Sequence, residues 1–140
     1  MRRILALDMG TVRIGVAVSD PLGMFATGIA VLSAEGEWEK ELDALMARYT
    51  PSVLLIGIPV RTTGQKGPEA LRIEEQAKTL SERYPDAEVI LHDERYSTVM
   101  AQQALIEANV SRKGRKGKVD RVAAALILQS WLDRAGREPE

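Results

Sequence analysis

The chain has 140 residues, of which 45% are hydrophobic and 28% are charged, and its formal net charge is −1. This composition is typical of one globular domain, and no apolar run approaches the length of a membrane-spanning helix. The absence of cysteine excludes disulfides, thiolate metal sites and cysteine nucleophiles. The amino-terminal segment runs into an apolar strand and has no small-residue cleavage site, so we do not expect it to be a secretory signal. We expect one domain over residues 1–140 that is cytoplasmic and does not contact a membrane.

The first part of the chain predicts three short strands. Each is a run of apolar or β-branched residues bounded by turn residues, and they cover residues 3–8, 14–18 and 25–32. Because the connections are short, the strands are expected to pair as an antiparallel meander. Asp20 precedes Pro21 and is expected to form one of the turns.

Helices and strands alternate in the rest of the chain. The helices are predicted from apolar residues at helical spacing, and the strands from short apolar runs. The predicted segments are a helix at 37–49, a strand at 53–58, a helix at 70–84, a strand at 88–92, a helix from Ser97 or Thr98 to about Ala108, and a helix from Val119 to Ala135. This order predicts an α/β fold in which right-handed crossovers make the last two strands parallel. A mixed five-stranded sheet flanked by helices results, which is the topology of the RNase H-like superfamily.

Acidic residues stand at two strand ends and at the start of the last predicted helix. Asp8 ends the first strand, and Asp93 and Glu94 follow the fifth, so they share the edge where ligands bind in such sheets. Asp120 lies on one helical stripe with Ala123, and an acid on a buried stripe must be paired, protonated or bound to a cation. Three carboxylates at one edge suit two-metal hydrolysis of a phosphodiester, with Mg²⁺ or Mn²⁺ as the hard cations.

Each acid also has a local interpretation. Asp8 can simply end a strand, and Asp93 with Glu94 can balance Arg95 or begin the next helix. Asp120 can be a first-turn acid that the helix dipole favours. His92 has no thiol to activate and is expected to be only a side chain at a strand end.

A basic segment precedes the last predicted helix. It contains no acid and is expected to form a loop that contacts a polyanion, although a solvated connection is the alternative; its cations are Arg112, Lys113, Arg115, Lys116 and Lys118.

Four motifs along nearly the whole chain resemble those of the YqgF (RuvX) family, whose members are related to RuvC-like Holliday junction resolvases. The motifs are DMGTVRIGVAVSD at 8–20, Gly57-Ile58-Pro59 with Gly64 and Gly67, DERYST at 93–98, and Lys118-Val119-Asp120 leading into 123–125 and 127–129. The resemblance implies an RNase H-like fold and a nuclease that processes the 5′ end of precursor 16S ribosomal RNA. By matching motifs, it implies that Asp8, Glu94 and Asp120 are the metal-binding catalytic acids.

Two departures qualify this resemblance. RuvC-like resolvases have their second acid at the end of the fourth strand, where this chain has Gly57-Ile58-Pro59 and no carboxylate. The pocket geometry and junction preference of a resolvase are therefore not implied. His92 stands where the family is expected to have an aromatic residue such as tryptophan.

The expected partner is nucleic acid, RNA or DNA, bound by a monomer or homodimer. Phosphates are expected to contact the basic segment and four other cations, Arg13, Arg61, Lys66 and Arg95. Such contacts position a nucleic-acid strand without reading its sequence. Aromatic residues make up only 4% of the chain, so base stacking should contribute little. A DNA-repair or junction nuclease and a non-catalytic binding module remain as alternatives. A phosphotransferase similar to the actin-like sugar kinases would need a second domain.

Overall fold

The computed structural model of the protein describes residues 3–59, 65–93 and 112–135, with the backbone alone at 112–120 and 135. Within these residues it contains five strands and three helices. In chain order they are β1 (Ile4–Met9), β2 (Arg13–Ser19), β3 (Ala26–Ser33), α1 (Trp38–Tyr49), β4 (Val53–Ile58), α2 (Pro68–Arg83), β5 (Glu88–Asp93) and α3 (Arg112–Ala135). The predicted strands are confirmed to within a residue or so at each end. The helix predicted from Ser97 or Thr98 to Ala108 lies outside the described residues.

The five strands form one mixed sheet in the order β3-β2-β1-β4-β5. The β1–β2 and β2–β3 pairs are antiparallel, whereas β1–β4 and β4–β5 are parallel. The predicted meander with two added parallel strands is therefore confirmed. Parallel strands place their carboxyl ends at the same edge, so the ends of β1, β4 and β5 lie together there.

Side chains alternate along β1 between two apolar cores, one on each face of the sheet. Leu5 and Leu7 enter the core formed with α1 and α2, and we call this side the α1/α2 face. Ile4 and Ala6 enter the core formed with α3, which we call the α3 face. Both cores are fully closed around β1, since Leu5, Ala6 and Leu7 have no exposed surface. The sheet is thus a rigid support for groups at its edge.

The ends of α1 and α2 follow from local sequence. Thr50 adopts the left-handed conformation with φ 41°, and its N–H donates to the carbonyl of Met46. Pro51 follows and cannot continue the helix. At the start of α2, Pro68 occupies a first-turn position, where its missing N–H costs no hydrogen bond. Among the described residues, none of the helices is both long and apolar enough to cross a bilayer.

The prediction of a basic loop at residues 112–118 is wrong, because these residues form the first turns of α3. The sequence suggested a loop because Gly114 and Gly117 each disfavour a helix by about 1 kcal/mol and clustered cations repel at a helix start. Arginine and lysine are nevertheless good helix formers, and the apolar second half of α3 already packs on the sheet. Adding turns to an existing helix avoids the cost of nucleation.

Candidate active site at the edge of the sheet

Asp8 lies on the α3 face, near the carboxyl end of β1. The residues two and four positions before it, Ala6 and Ile4, belong to the core beneath α3. Its neighbours Leu7 and Met9 belong to the opposite core. The side chain of Asp8 is partly buried. Strand alternation therefore directs the first predicted acid toward the side of the sheet that α3 covers.

Asp8 stands in a row of the sheet that contains two glycines. Gly15 of β2 pairs with it directly. On the other side of β1, Leu7 pairs with Ile56 of β4, so the next residue of β4, Gly57, lies beside Asp8. Gly57 in turn pairs with His92 of β5. No side chain from β2 or β4 therefore stands beside the carboxylate in this row. The Cα atoms of Asp8 and His92, two strands apart, are separated by about 10 Å.

The β1–β2 connection holds Asp8 in a tight turn. The N–H of Gly10 donates to the carbonyls of Asp8, at 3.1 Å, and of Arg13, at 3.0 Å. A Cβ at residue 10 would lie 2.3 Å from the Arg13 carbonyl oxygen, so only glycine fits there. Arg13 begins β2 two residues before Gly15, on the same face as Asp8. One of the predicted phosphate-binding cations thus lies on the same face of the sheet as the first predicted acid, near the same turn.

The two adjacent acids after β5 are separated by the faces of the sheet. Asp93 pairs with Ile58, whose side chain belongs to the core of the α1/α2 face. Asp93 therefore points away from the face that carries Asp8. Glu94 lies outside the described residues.

The last predicted acid, Asp120, belongs to α3, and its side chain lies outside the described atoms. The helix crosses β1, β2 and β3 on the face of Asp8. Its buried stripe begins at Ala123 and Ala124, three and four positions after Asp120, and continues through Ile127 and Leu128. The helical stripe inferred from sequence is thus confirmed from residue 123 onward.

His92 is buried beneath α3, with Nε2 3.4 Å from Oγ of Ser130. Burial, and then the positive charge of Arg134, lower the pKa of His92 below its ordinary value, while Asp93 acts in the opposite direction. The imidazole is therefore neutral at neutral pH. Its position inside strand β5 agrees with the structural role predicted for it.

Two cations near the edge belong to α2 or to the segment just before it. Lys66 pairs with Glu74 at 3.1 Å, and its side chain is 48% exposed. Arg72 donates to the carbonyl of Met9 at 3.3 Å and was not singled out from the sequence. The apolar spacing predicts which face of α2 packs on the sheet, but it does not show which backbone carbonyl Arg72 reaches, so this contact could not be predicted. Arg61 and Arg95 lie outside the described residues, as do the side chains of the basic segment.

The carboxylate of Asp8 offers the hard oxygen donors that Mg²⁺ and Mn²⁺ prefer. Among the described side chains, no three acids or histidines come together as a metal site. Two of the three predicted ligands, Glu94 and the side chain of Asp120, lie outside the described side chains. The donor chemistry of the Asp8 carboxylate fits a divalent cation.

A separate cavity of about 530 Å³ lies at the opposite end of the sheet. Ser52 and Ala87, which line it, directly precede β4 and β5. Hydrogen bonds from Arg83 and then Tyr84 lower the pKa of Asp43 to about 2. Because Asp43 lies on α1 and Arg83 on α2, this network ties the two helices together.

The sequence model of the family described as "RuvX: Holliday junction resolvase" matches residues 2–134. A protein of Geobacillus sp. (strain WCH70) is 44% identical over 135 residues, which are 94% of this chain and 97% of the relative. A protein of Clostridium kluyveri (strain NBRC 12016) is 39% identical over 137 residues, which are 96% and 99% of the two chains. Both relatives carry the name "Putative pre-16S rRNA nuclease". The chain belongs to the RuvX family.

Solved structures of low sequence identity share the fold of this RuvX chain. T. thermophilus RuvC in complex with a Holliday junction substrate has a TM-score of 0.56 at 13% identity, covering 98% of both chains. The fowlpox virus Holliday junction resolvase has a TM-score of 0.56 at 15% identity, covering 95% of this chain and 99% of that one. The RNase H-like fold implied by the motifs is confirmed.

Proposed function

We propose that this RuvX chain is a nuclease that hydrolyses phosphodiester bonds with divalent cations held by Asp8, Glu94 and Asp120. The observation that carries the proposal is the placement of Asp8 on the α3 face, between Gly15 and Gly57 in its row. A carboxylate on the face that α3 covers, at the edge where the carboxyl ends of β1, β4 and β5 meet, supplies hard oxygen donors for a divalent cation.

The register supports Glu94 rather than Asp93 as the second ligand. Asp93 shares the α1/α2 face with Ile58, on the far side of the sheet from Asp8. With Asp93 on the far face, Glu94 is the acid of this adjacent pair that we propose as the ligand. Glutamate also has one more methylene than aspartate, which helps it reach across β4 toward β1.

The path of α3 supports Asp120 as the third ligand. Residues 123, 124, 127 and 128 of this helix contact the sheet on the face of Asp8. Position 120 precedes this stripe by three residues, so it shares the sheet-facing side of the helix. We therefore propose Asp120 as the ligand that α3 contributes to the site.

Cations of the chain would hold the phosphates of the substrate. When bound, divalent cations lower the pKa of water and stabilise charge on the attacking and leaving oxygens. Arg13, on the same face as Asp8, is positioned to contact a phosphate near the cleaved bond. The basic turns of α3, together with Arg61, Lys66 and Arg95, would bind phosphates farther along the strand. Arg72 fixes the Met9 carbonyl and so keeps the β1 end in place.

Precursor 16S ribosomal RNA is the substrate that the relatives favour. Relatives of 39–44% identity over nearly the whole chain carry that substrate in their names. The junction resolvases share only the fold, at 13–15% identity. β4 ends in Gly57 and Ile58 and has no carboxylate at the position where RuvC-like enzymes carry their second acid. A four-way DNA junction is therefore the second candidate substrate.

A panel of end-labelled substrates tests this proposal. It should contain a precursor 16S fragment, its mature form, a linear duplex DNA and a four-way junction, each with Mg²⁺, Mn²⁺ or EDTA. We expect cleavage of the precursor near the mature 5′ end, with either metal and not with EDTA. Cleavage of the four-way junction alone would show that the second candidate, the DNA junction, is the substrate. Binding without cleavage of any substrate would indicate a non-catalytic module.

A further inference from the structure

An edge-strand glycine lies directly against the backbone of α3. A Cβ on Gly28 would be 2.7 Å from the carbonyl oxygen of Arg121 and 2.9 Å from its Cβ. Distances under 3.0 Å do not occur for real Cβ atoms, and the obstacle here is helix backbone that cannot rotate away. The closeness of α3 to the sheet at residue 121 therefore depends on the missing side chain at Gly28.

A second contact fixes α3 two turns farther along. The side-chain oxygen of Gln129 accepts a hydrogen bond from the N–H of Ala26 at 3.0 Å. Its nitrogen donates to the carbonyl of Met24, also at 3.0 Å. Residues 121 and 129 are about 12 Å apart along the helix axis. Two separated anchors to the β2–β3 hairpin thus define both the height and the tilt of α3.

We propose that Gly28 is a positioning residue that sets the distance between Asp120 of α3 and Asp8 of β1. This inference rests on the proposed function, in which both acids hold the same cations. Residue 120 is the immediate neighbour of Arg121, so the distance of its backbone from the sheet depends on the contact between Arg121 and Gly28. Gln129 holds the other end, so a side chain at residue 28 tilts the helix about that anchor and lifts the end that carries Asp120.

The displacement is large on the scale of metal coordination. Ordinary contact begins at 3.4 Å, so alanine at residue 28 requires a retreat of about 0.7 Å at Arg121. Mg²⁺ requires near-ideal octahedral geometry at about 2.0–2.1 Å. A misplacement of about 1 Å in a catalytic site reduces the rate by roughly 100-fold. We therefore expect Gly28→Ala to lower metal affinity about 10-fold or more and kcat about 100-fold, with KM changed less than about threefold.

Gly36→Ala is the matched control, because a Cβ at Gly36 would meet nothing closer than 3.5 Å. Both variants are compared with the wild-type chain in three measurements: Mg²⁺ and Mn²⁺ binding by calorimetry, the Cα separation of residues 8 and 120 in metal-free crystals, and kcat with KM. The separation should increase by roughly 0.5–1 Å in Gly28→Ala alone. Asp120→Glu, added to Gly28→Ala, should restore part of the metal affinity because its side chain is one methylene longer.

A metal-free Gly28→Ala crystal with the wild-type separation, or wild-type metal affinity in that variant, overturns the positioning role. If Gly28→Ala does not fold, Gln129→Ala replaces it, since it releases the second anchor without adding volume. Unchanged metal affinity in Gln129→Ala would equally overturn the inference. Failure of the wild-type chain itself to bind metal or cleave would refute the proposed function instead.

Discussion

Gly10→Ala perturbs the turn that holds Asp8. The new methyl group would lie 2.3 Å from the Arg13 carbonyl oxygen, so that carbonyl must move by about 1 Å to reach ordinary contact. The same oxygen accepts the hydrogen bond from the Gly10 N–H at 3.0 Å. The substitution therefore both overcrowds the turn and breaks the contact that closes it.

The two effects give an estimate of the lost stability. Loss of one backbone hydrogen bond costs about 1 kcal/mol, and overpacking at a rigid position costs about 1–3 kcal/mol. We expect the free energy of unfolding to fall by about 2–4 kcal/mol, which lowers the melting temperature by roughly 6–16 °C. Catalysis should fall by more than about tenfold even at temperatures where the variant is folded, since Asp8 is two residues away.

Urea unfolding followed by circular dichroism measures the first effect, and single-turnover cleavage with saturating metal measures the second. Gly36→Ala is again the control, because its Cβ would make only ordinary contacts. Its unfolding free energy should stay within about 1 kcal/mol of the wild type. A Gly10→Ala variant with the wild-type unfolding midpoint would refute the reasoning about this turn.

Three further predictions follow from the same geometry. Glu94→Gln should abolish cleavage while Asp93→Asn retains most of it, because Asp93 lies on the opposite face from Asp8; a dead Asp93→Asn beside an active Glu94→Gln would reverse the assignment. Serine at Arg112, Lys113, Arg115 and Lys116 should reduce the slope of log affinity against log salt by about 0.7–0.9 per lost phosphate contact. The helix lets positions 112, 115 and 116 share one side, so a total change of about 2–3 is expected, and an unchanged slope would exclude the segment from binding. The pKa of Asp43 falls from 3.8 to about 2 on folding, so its pairing with Arg83 stabilises the fold above about pH 4, and this stabilisation is lost as the pH falls toward 2. In urea unfolding, the free energy of unfolding of Asp43→Asn should therefore decrease less than that of the wild type between pH 4 and pH 2. Parallel pH dependences of the two proteins would contradict this.

Most of the secondary structure could be predicted because burial imposes a period on the sequence. The continuous apolar run at 53–58 predicts a strand with the bounds that β4 has in the structure. The prediction succeeds because a strand buried on both faces is apolar at every position. The start of α3 could not be predicted, because Gly114 and Gly117 weaken the local helical signal while packing farther along the helix sustains it.

The candidate site required information that no local pattern contains. The sequence placed Asp8 and the pair Asp93-Glu94 at one edge, but only the register of β5 on β4 shows that Asp93 faces away from Asp8. The contact of Gly28 with Arg121 joins residues far apart in the chain. This contact can be recognised only once the packing of α3 on β3 is known. In the same way, the hydrogen bond from Arg72 to the Met9 carbonyl can be recognised only from the packing of α2.

Asp8→Asn is the most direct test of the central claim, which is that carboxylates at this edge hold the catalytic cations. Asparagine keeps the size of the side chain and removes the charge that a hard cation needs. We expect wild-type chain to cleave a precursor 16S fragment with Mg²⁺ or Mn²⁺ in a single-turnover assay. The folded Asp8→Asn variant should bind the fragment with similar affinity and cleave it at least about 1,000-fold more slowly. Cleavage by Asp8→Asn at the wild-type rate would contradict the account.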